Sequence, residues 1–273
     1  MLTAMSTSAT SAARAAKNST AVRVLARAGF AASGLVHILI GIIAISIAFG
    51  STSEHADQSG ALGELAQAPG GMFLLWAAAI SLAALGIWHL LSALLDRSAA
   101  AGRDRAVHIV KNASKGVVYM VLAFTAGVFA SGSSASSSQS TTSLTADLMS
   151  APAGIVAIVA IGLVMLGVAG YLVFKGATKR FERDLNIPSG TVGTVVRVLG
   201  TVGYIARGIA LAAVGILFLV AAAKHDPQQS SGLDGALKSL VDLPFGVALL
   251  TVVGAGWIAY GVYAFCRARF ARL

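Results

Sequence analysis

Six long stretches without a single Asp, Glu, Lys or Arg dominate this chain: Ala28 to Ser53, Leu65 to Leu95, Gly116 to Ala146, Leu148 to Phe174, Gly208 to Ala223 and Leu243 to Cys266. About 20 apolar residues suffice for a helix to cross a hydrocarbon core of about 30 Å. Five stretches meet that length alone. The fifth is short, but it extends back through Val198 to Ala206 with Arg207 inside it, which makes six predicted spans. Charged residues are only 11% of the chain, against about a quarter in soluble domains. Much of this protein's surface is therefore expected to face lipid.

The net charge of +9 is spread unevenly. With six spans, eighteen of the twenty Lys and Arg fall on one side, and only Lys224 and Lys238 fall on the other. Lys and Arg concentrate in short cytoplasmic loops, so both termini are predicted to be cytoplasmic, in a bacterial inner membrane. The basic excess is then a membrane-orienting feature with attraction to anionic lipid, and no nucleic acid is expected. A single cysteine, Cys266, rules out an internal disulfide and is expected to pack at the cytoplasmic end of the last span. The first apolar stretch is longer than a signal-peptide core and belongs to a repeat, so it is read as a span.

Self-comparison reveals the repeat. Gly34, Gly116 and Gly208 stand near the starts of the odd-numbered spans, each after Ser33, Lys115 or Arg207. Pro69, Pro152 and Pro244 open the even-numbered spans, 35, 36 and 36 residues later. An aromatic follows each proline by 19 residues (Trp88, Tyr171, Tyr263), and a small residue follows each glycine by seven (Gly41, Ala123, Gly215). Glycines seven apart share a helix face, where small residues let backbones approach closely in lipid. Proline is tolerated in a helix's first turn, where its missing N–H would be unpaired anyway. The aromatics are placed in the interfacial belt. The mixed segments before each proline (62–68, 144–151, 233–243) are expected as amphipathic turns on the outer interface, and Ser131 to Ser143 as a flexible loop. Residues 1–22 are expected to be a disordered tail, with repeats at 23–97, 105–180 and 195–270 in one membrane domain. Two helices per repeat keep all copies in one orientation. The predicted fold is thus all-α and integral to the membrane, with six transmembrane helices as three parallel two-helix repeats about a pseudo-threefold axis along the membrane normal.

These markers resemble a known family. Ala26-Arg27-Ala28-Gly29-Phe30 and Ser33-Gly34-Leu35-Val36-His37 in the first copy are similar to the bacterial membrane family labelled domain of unknown function 1206. So are Gly203 to Gly208 and Gly232 to Leu237, leading to Pro244-Phe245-Gly246, in the third. The similarity runs from Arg23 to Arg267. It implies the repeated membrane architecture and brings no reaction with it.

Polar residues inside spans are the functional suspects. Lys115 and Arg207 occupy equivalent positions with about 24 Å of helix beyond each, about one turn inside the cytoplasmic edge. They either snorkel to the headgroups or hold an anionic lipid headgroup or phosphate. His37 and His89, at matching depth, are either hydrogen-bonded within the bundle or ligands to a metal or haem; neither recurs as His in the other copies. No Asp or Glu lies inside a span, and no catalytic motif, metal motif or cofactor signature stands out. The leading expectation is therefore a non-enzymatic protein that binds membrane lipids or a protein partner, a second copy of itself included. A transporter or channel for a small or lipidic solute is the alternative, and a haem or metal protein using His37 and His89 the third.

Overall fold

The computed structural model describes residues 20–51, 55–95, 103–133 and 136–271. Nine α-helices occur among them: α1 (Thr20–Ala48), α2 (Gln58–Gln67), α3 (Gly71–Leu95), α4 (Arg103–Ala130), α5 (Ser137–Ser150), α6 (Gly154–Ala177), α7 (Thr191–Lys224), α8 (Gly232–Val241) and α9 (Gly246–Phe270). Two 3₁₀ turns, Arg180–Asp184 and Pro227–Gln229, flank α7. Five helices, namely α1, α4, α6, α7 and α9, are long and apolar enough to cross a membrane. In α3 the stretch Gly71–Ala84 is a shorter apolar segment. Of the tail expected over 1–22, residues 1–19 lie outside the described residues, and α1 begins at Thr20.

The chain divides into two compact units within α2, at Ala61 and Leu62. One unit carries α3 and α4; the other carries α1, α5, α6, α7, α8 and α9. Within the first, α3 pairs with α4; within the second, α1 pairs with α9, α6 with α7, and α7 with α9. Three of these pairings share a logic. Each of α3–α4, α6–α7 and α9–α1 joins the second long helix of one repeat to the first of another, the last copy pairing with the first.

Glycine makes these pairings close. A Cβ on Gly34 would lie 2.7 Å from the carbonyl oxygen of Gly261, and one on Gly41 would lie 2.6 Å from that of Gly254. In α6–α7, Gly215 meets the Gly162 carbonyl at 3.1 Å on the same measure, and in α3–α4 Gly116 meets that of Gly86 at 3.1 Å. The repeat glycines are therefore packing residues, and their partners stand 10 and 17 residues after each proline.

The prolines sit one step earlier than predicted. The helices start at Gly71, Gly154 and Gly246, two residues after Pro69, Pro152 and Pro244. Between them lies a left-handed residue in each copy: Gly70 (φ 76°), Ala153 (φ 62°) and Phe245 (φ 62°). This turn folds the chain back on the preceding short helix. The glycine that follows faces the Leu65, Leu148 or Leu240 carbonyl too closely to accept a Cβ.

The amphipathic segments form the short helices α2, α5 and α8. The Ser-rich stretch differs from its expectation, since residues 137–143 are the first turns of α5. Ser136 caps the helix by accepting from the Gln139 N–H at 3.2 Å, and the Ser140 and Thr141 hydroxyls donate to carbonyls one turn back. Serines that compete with the backbone elsewhere are here satisfied by it. Tyr263, expected in the interfacial belt, is instead buried among Phe181, Tyr204 and Tyr260, whereas Tyr171 is exposed. The Trp88 side chain lies outside what the structure describes.

Two outcomes test this framework. Gly41→Leu should lose about 1–3 kcal/mol, seen as a lowered Tm in detergent, while Gly170→Leu, with open space around it, should leave Tm unchanged. Ala153→Gly should raise stability by about 1 kcal/mol, because glycine removes the left-handed penalty; unfolding in denaturant reads the gain.

Candidate functional site

Arg207 stands midway along α7, 16 residues after Thr191 and 17 before Lys224, so about 24 Å of helix extends on either side. Its guanidinium carbon lies 4.4 Å from the centre of the Tyr260 ring on α9. A cation over an aromatic face is favourable, and more so where water is excluded. Among the described residues no carboxylate lies within ion-pair distance of Arg207. Tyr260 belongs to a ring stack that includes His37 at 4.8 Å, and His37 lies over Trp257 at 5.2 Å and 26°. The His37 Nδ1–H donates to the Ser33 carbonyl at 2.6 Å, which fixes the imidazole against α1. Trp257 is buried, and its indole N–H has no partner among the described residues.

Arg207 and Trp257 line one end of a cavity of about 520 Å³. Its walls are α6 and α7, with Ile158, Met165, Leu172, Leu211 and Phe218 prominent, and α5 and α8 line its far end. Thr141 and Thr145 line that end, but their hydroxyls donate to the carbonyls of Ser137 and Thr141 in their own helix. The wall is thus apolar along its length, with a cation at one end. Such a lining is chemically complementary to a hydrocarbon body with an anionic tip.

Repeat equivalence relates two of the lining residues to a ring pair elsewhere in the chain. Leu211 corresponds to Tyr119 and Leu172 to His89, counting from the repeat glycines and prolines. In α3–α4 those two positions are filled by a ring stack, with His89 and Tyr119 centroids 5.5 Å apart and nearly parallel. The leucines at the same places in α6–α7 stand along the open space.

The remaining predicted residues are placed as follows. The Lys115 side chain lies outside what the structure describes. His89 faces the Asn112 amide oxygen at 3.3 Å through Nδ1, so His37 and His89 each have partners within their own compact unit. Among the described residues no three His, Cys, Asp or Glu side chains converge as a metal-binding group. Cys266 packs against the aromatic cluster at the end of α9.

Asp234, at the start of α8, was missed as a candidate. Its side chain is 5% exposed and accepts from the Ala56 N–H at 2.8 Å, from His55 Nδ1 at 2.8 Å and from the Lys238 ammonium at 2.9 Å. Burial opposes its ionisation, but these three donors outweigh burial and hold the carboxyl below its usual range. Nearby, Ser59 Oγ accepts from the Ser137 N–H, and Ser138 Oγ donates to the Ser231 carbonyl. One carboxylate therefore ties the segment after α1 to α8, and serines tie α5 to both. A single Asp in a Gly-rich segment carries no spacing signal, since its partners lie 178 and 179 residues away.

A depressed carboxylate pKa contributes stability above its ordinary value of 3.8 that is lost as pH falls through the folded value. Asp234→Asn should therefore cost about 1–3 kcal/mol at pH 7, and its Tm deficit against the parent should shrink below pH 4. Thermal unfolding at pH 7 and pH 3 makes that comparison.

A family model described as Domain of Unknown Function (DUF1206) matches the chain three times, over 28–96, 110–179 and 202–271, once per repeat. An uncharacterized protein of Bacillus subtilis (strain 168), YxxB, is 29% identical over 248 residues, which is 89% of each chain. No solved structure matches.

Proposed function

The chain belongs to the family described as Domain of Unknown Function (DUF1206), and on that footing we propose that it is a six-span membrane protein that binds an anionic lipid and catalyses no reaction. In this reading α3 is the sixth span. The three repeats share one orientation around a pseudo-threefold axis along the membrane normal. Both termini are cytoplasmic in the inner membrane of a bacterium, as the Lys and Arg bias requires. The short helices α2, α5 and α8 then lie on the outer side.

One observation supports the binding function: Arg207, midway along a helix long and apolar enough to cross a membrane, ends an apolar cavity with no carboxylate partner among the described residues. A guanidinium cannot discard its charge, and a charge held in low dielectric needs an opposite charge. A lipid headgroup supplies one, and the lipid's chain suits the apolar wall. Snorkelling to the headgroup layer accounts less well for a side chain turned over Tyr260. A hydrated solute, as a transport pathway needs, finds few polar groups in this lining.

Native mass spectrometry of protein released gently from its own membrane tests the proposal. The parent should carry a discrete lipid mass, and Arg207→Gln should lose about tenfold in occupancy, the loss of one charged hydrogen bond. Equal occupancy in parent and variant would remove Arg207 from the site.

A further inference from the structure

Charge is out of balance at the ends of α6 and α7 that point away from the short helices. From Lys175 to Arg197 the chain carries five cations, Lys175, Lys179, Arg180, Arg183 and Arg197, against two acids, Glu182 and Asp184. Both acids are engaged. Asp184 pairs with Lys175 at 3.5 Å, and Glu182 accepts from Arg197 Nε at 3.4 Å. Lys179 has no carboxylate within ion-pair distance among the described residues. The two terminal nitrogens of Arg197 make no hydrogen bond there either, since its contact with Glu182 runs through Nε.

These two cations share one groove of about 390 Å³, with Thr194, Val198 and Val202 beside them. Lys179 comes from the turn after α6 and Arg197 from the second turn of α7, so two separate elements supply the charge. Both are within reach of a ligand: the Arg197 side chain is 40% exposed, and Lys179 is exposed. The backbone at Lys179 is left-handed, with φ 56°. Glycine adopts that conformation freely, whereas a residue with a Cβ is disfavoured in it. The turn thus keeps a strained residue whose ammonium faces the groove that Arg197 lines.

The donors define the ligand. A planar guanidinium edge and an ammonium are the two side-chain forms that bind phosphate, one as a fork and the other as a point charge. Phosphate oxygens outnumber the two of a carboxylate, so one group can accept from both cations together. Glu182 holds the guanidinium through Nε and offsets one of the two charges, which leaves the groove positive. Val198 and Val202, both about half exposed, continue it along α7 as an apolar strip.

We propose that this groove is a second anion site, which binds one phosphate group through Lys179 and the terminal nitrogens of Arg197. It lies ten residues, about 15 Å, along α7 from Arg207 and shares no lining residue with the Arg207 cavity, so it stands apart from the lipid reading given above. The phosphate belongs either to a phospholipid headgroup, whose chains follow the valine strip, or to a soluble phosphate ester.

Calorimetric titration of the full chain in dodecyl maltoside tests the site, with glycerol 3-phosphate, dihexanoyl phosphatidic acid and dihexanoyl phosphatidylcholine as probes. The first two carry the same phosphate with and without chains, and the third hides its phosphate behind a cation. Phosphatidic acid should bind both the parent and Arg207→Gln, at least tenfold more tightly than phosphatidylcholine. Lys179→Gly should lose at least tenfold in affinity while its Tm equals or exceeds the parent's, because glycine relieves the left-handed turn. That pairing separates a binding lysine from a structural one. Glycerol 3-phosphate binding as tightly as phosphatidic acid assigns a soluble ester, and phosphatidic acid alone assigns a headgroup. Unchanged affinity in Lys179→Gly, a lowered Tm in that variant, or equal binding of phosphatidylcholine would overturn the inference. So would loss of all phosphate binding in Arg207→Gln, which would move the anion to the cavity and leave the lipid-binding reading standing. No binding of any probe by the parent would overturn it as well.

Discussion

Backbone-to-backbone approach at glycine is the contact from which the rest of this structure follows. Lipid tails are as apolar as leucine, so helices in a bilayer gain little from hiding apolar side chains from each other. They associate where small residues admit dense packing, and here Gly34 faces Gly261 while Gly41 faces Gly254 on α1 and α9. The two contacts lie seven residues apart on each helix, two turns along a single face. Antiparallel pairing follows, since the earlier glycine of α1 meets the later one of α9. The same arrangement recurs at Gly215 and Gly162 and at Gly116 and Gly86. Because the facing group is a carbonyl oxygen, which cannot rotate away as a side chain would, each contact also sets the register.

A repeated frame with different filling gives the molecule its chemical asymmetry. Between α1 and α9 the space is occupied by His37, Trp257 and Tyr260. Between α3 and α4 it holds His89 and Tyr119. Leu172 and Leu211 stand where α3 and α4 have His89 and Tyr119, beside the cavity and Arg207. The histidines thus complete aromatic packing within their own helix pairs. Arg207, by contrast, reaches α9 through the Tyr260 face and leaves its hydrogen-bonding edge without a carboxylate among the described residues.

The short helices solve a different problem, which is how to end long apolar helices without stranding polar groups. Each is followed by a left-handed residue and a glycine that reverse the chain into the next long helix. Asp234 then collects a backbone N–H, an imidazole and an ammonium in one buried place. A carboxylate removed from water is tolerable only with such partners. The Ser-rich run becomes helical for a related reason, its hydroxyls bonding inside α5 and to the neighbouring segments.

The helical, membrane-embedded character and the three repeats were legible in the amino-acid sequence, as were the packing roles of Gly34, Gly116 and Gly208. Hydropathy and internal spacing are local or periodic quantities, and a chain carries them along its length. The sequence also singled out Arg207 as a charge in an apolar run. What it could not supply was the other half of each contact. That Gly261 faces Gly34, that Trp257 and Tyr260 surround His37, and that Asp234 captures His55 depend on residues roughly 180–230 positions apart, whose meeting is decided by helix pairing. The cavity is further from the sequence still. Two leucines stand beside it where another repeat has two rings, and a space between helices becomes visible only once the surrounding helices are in place.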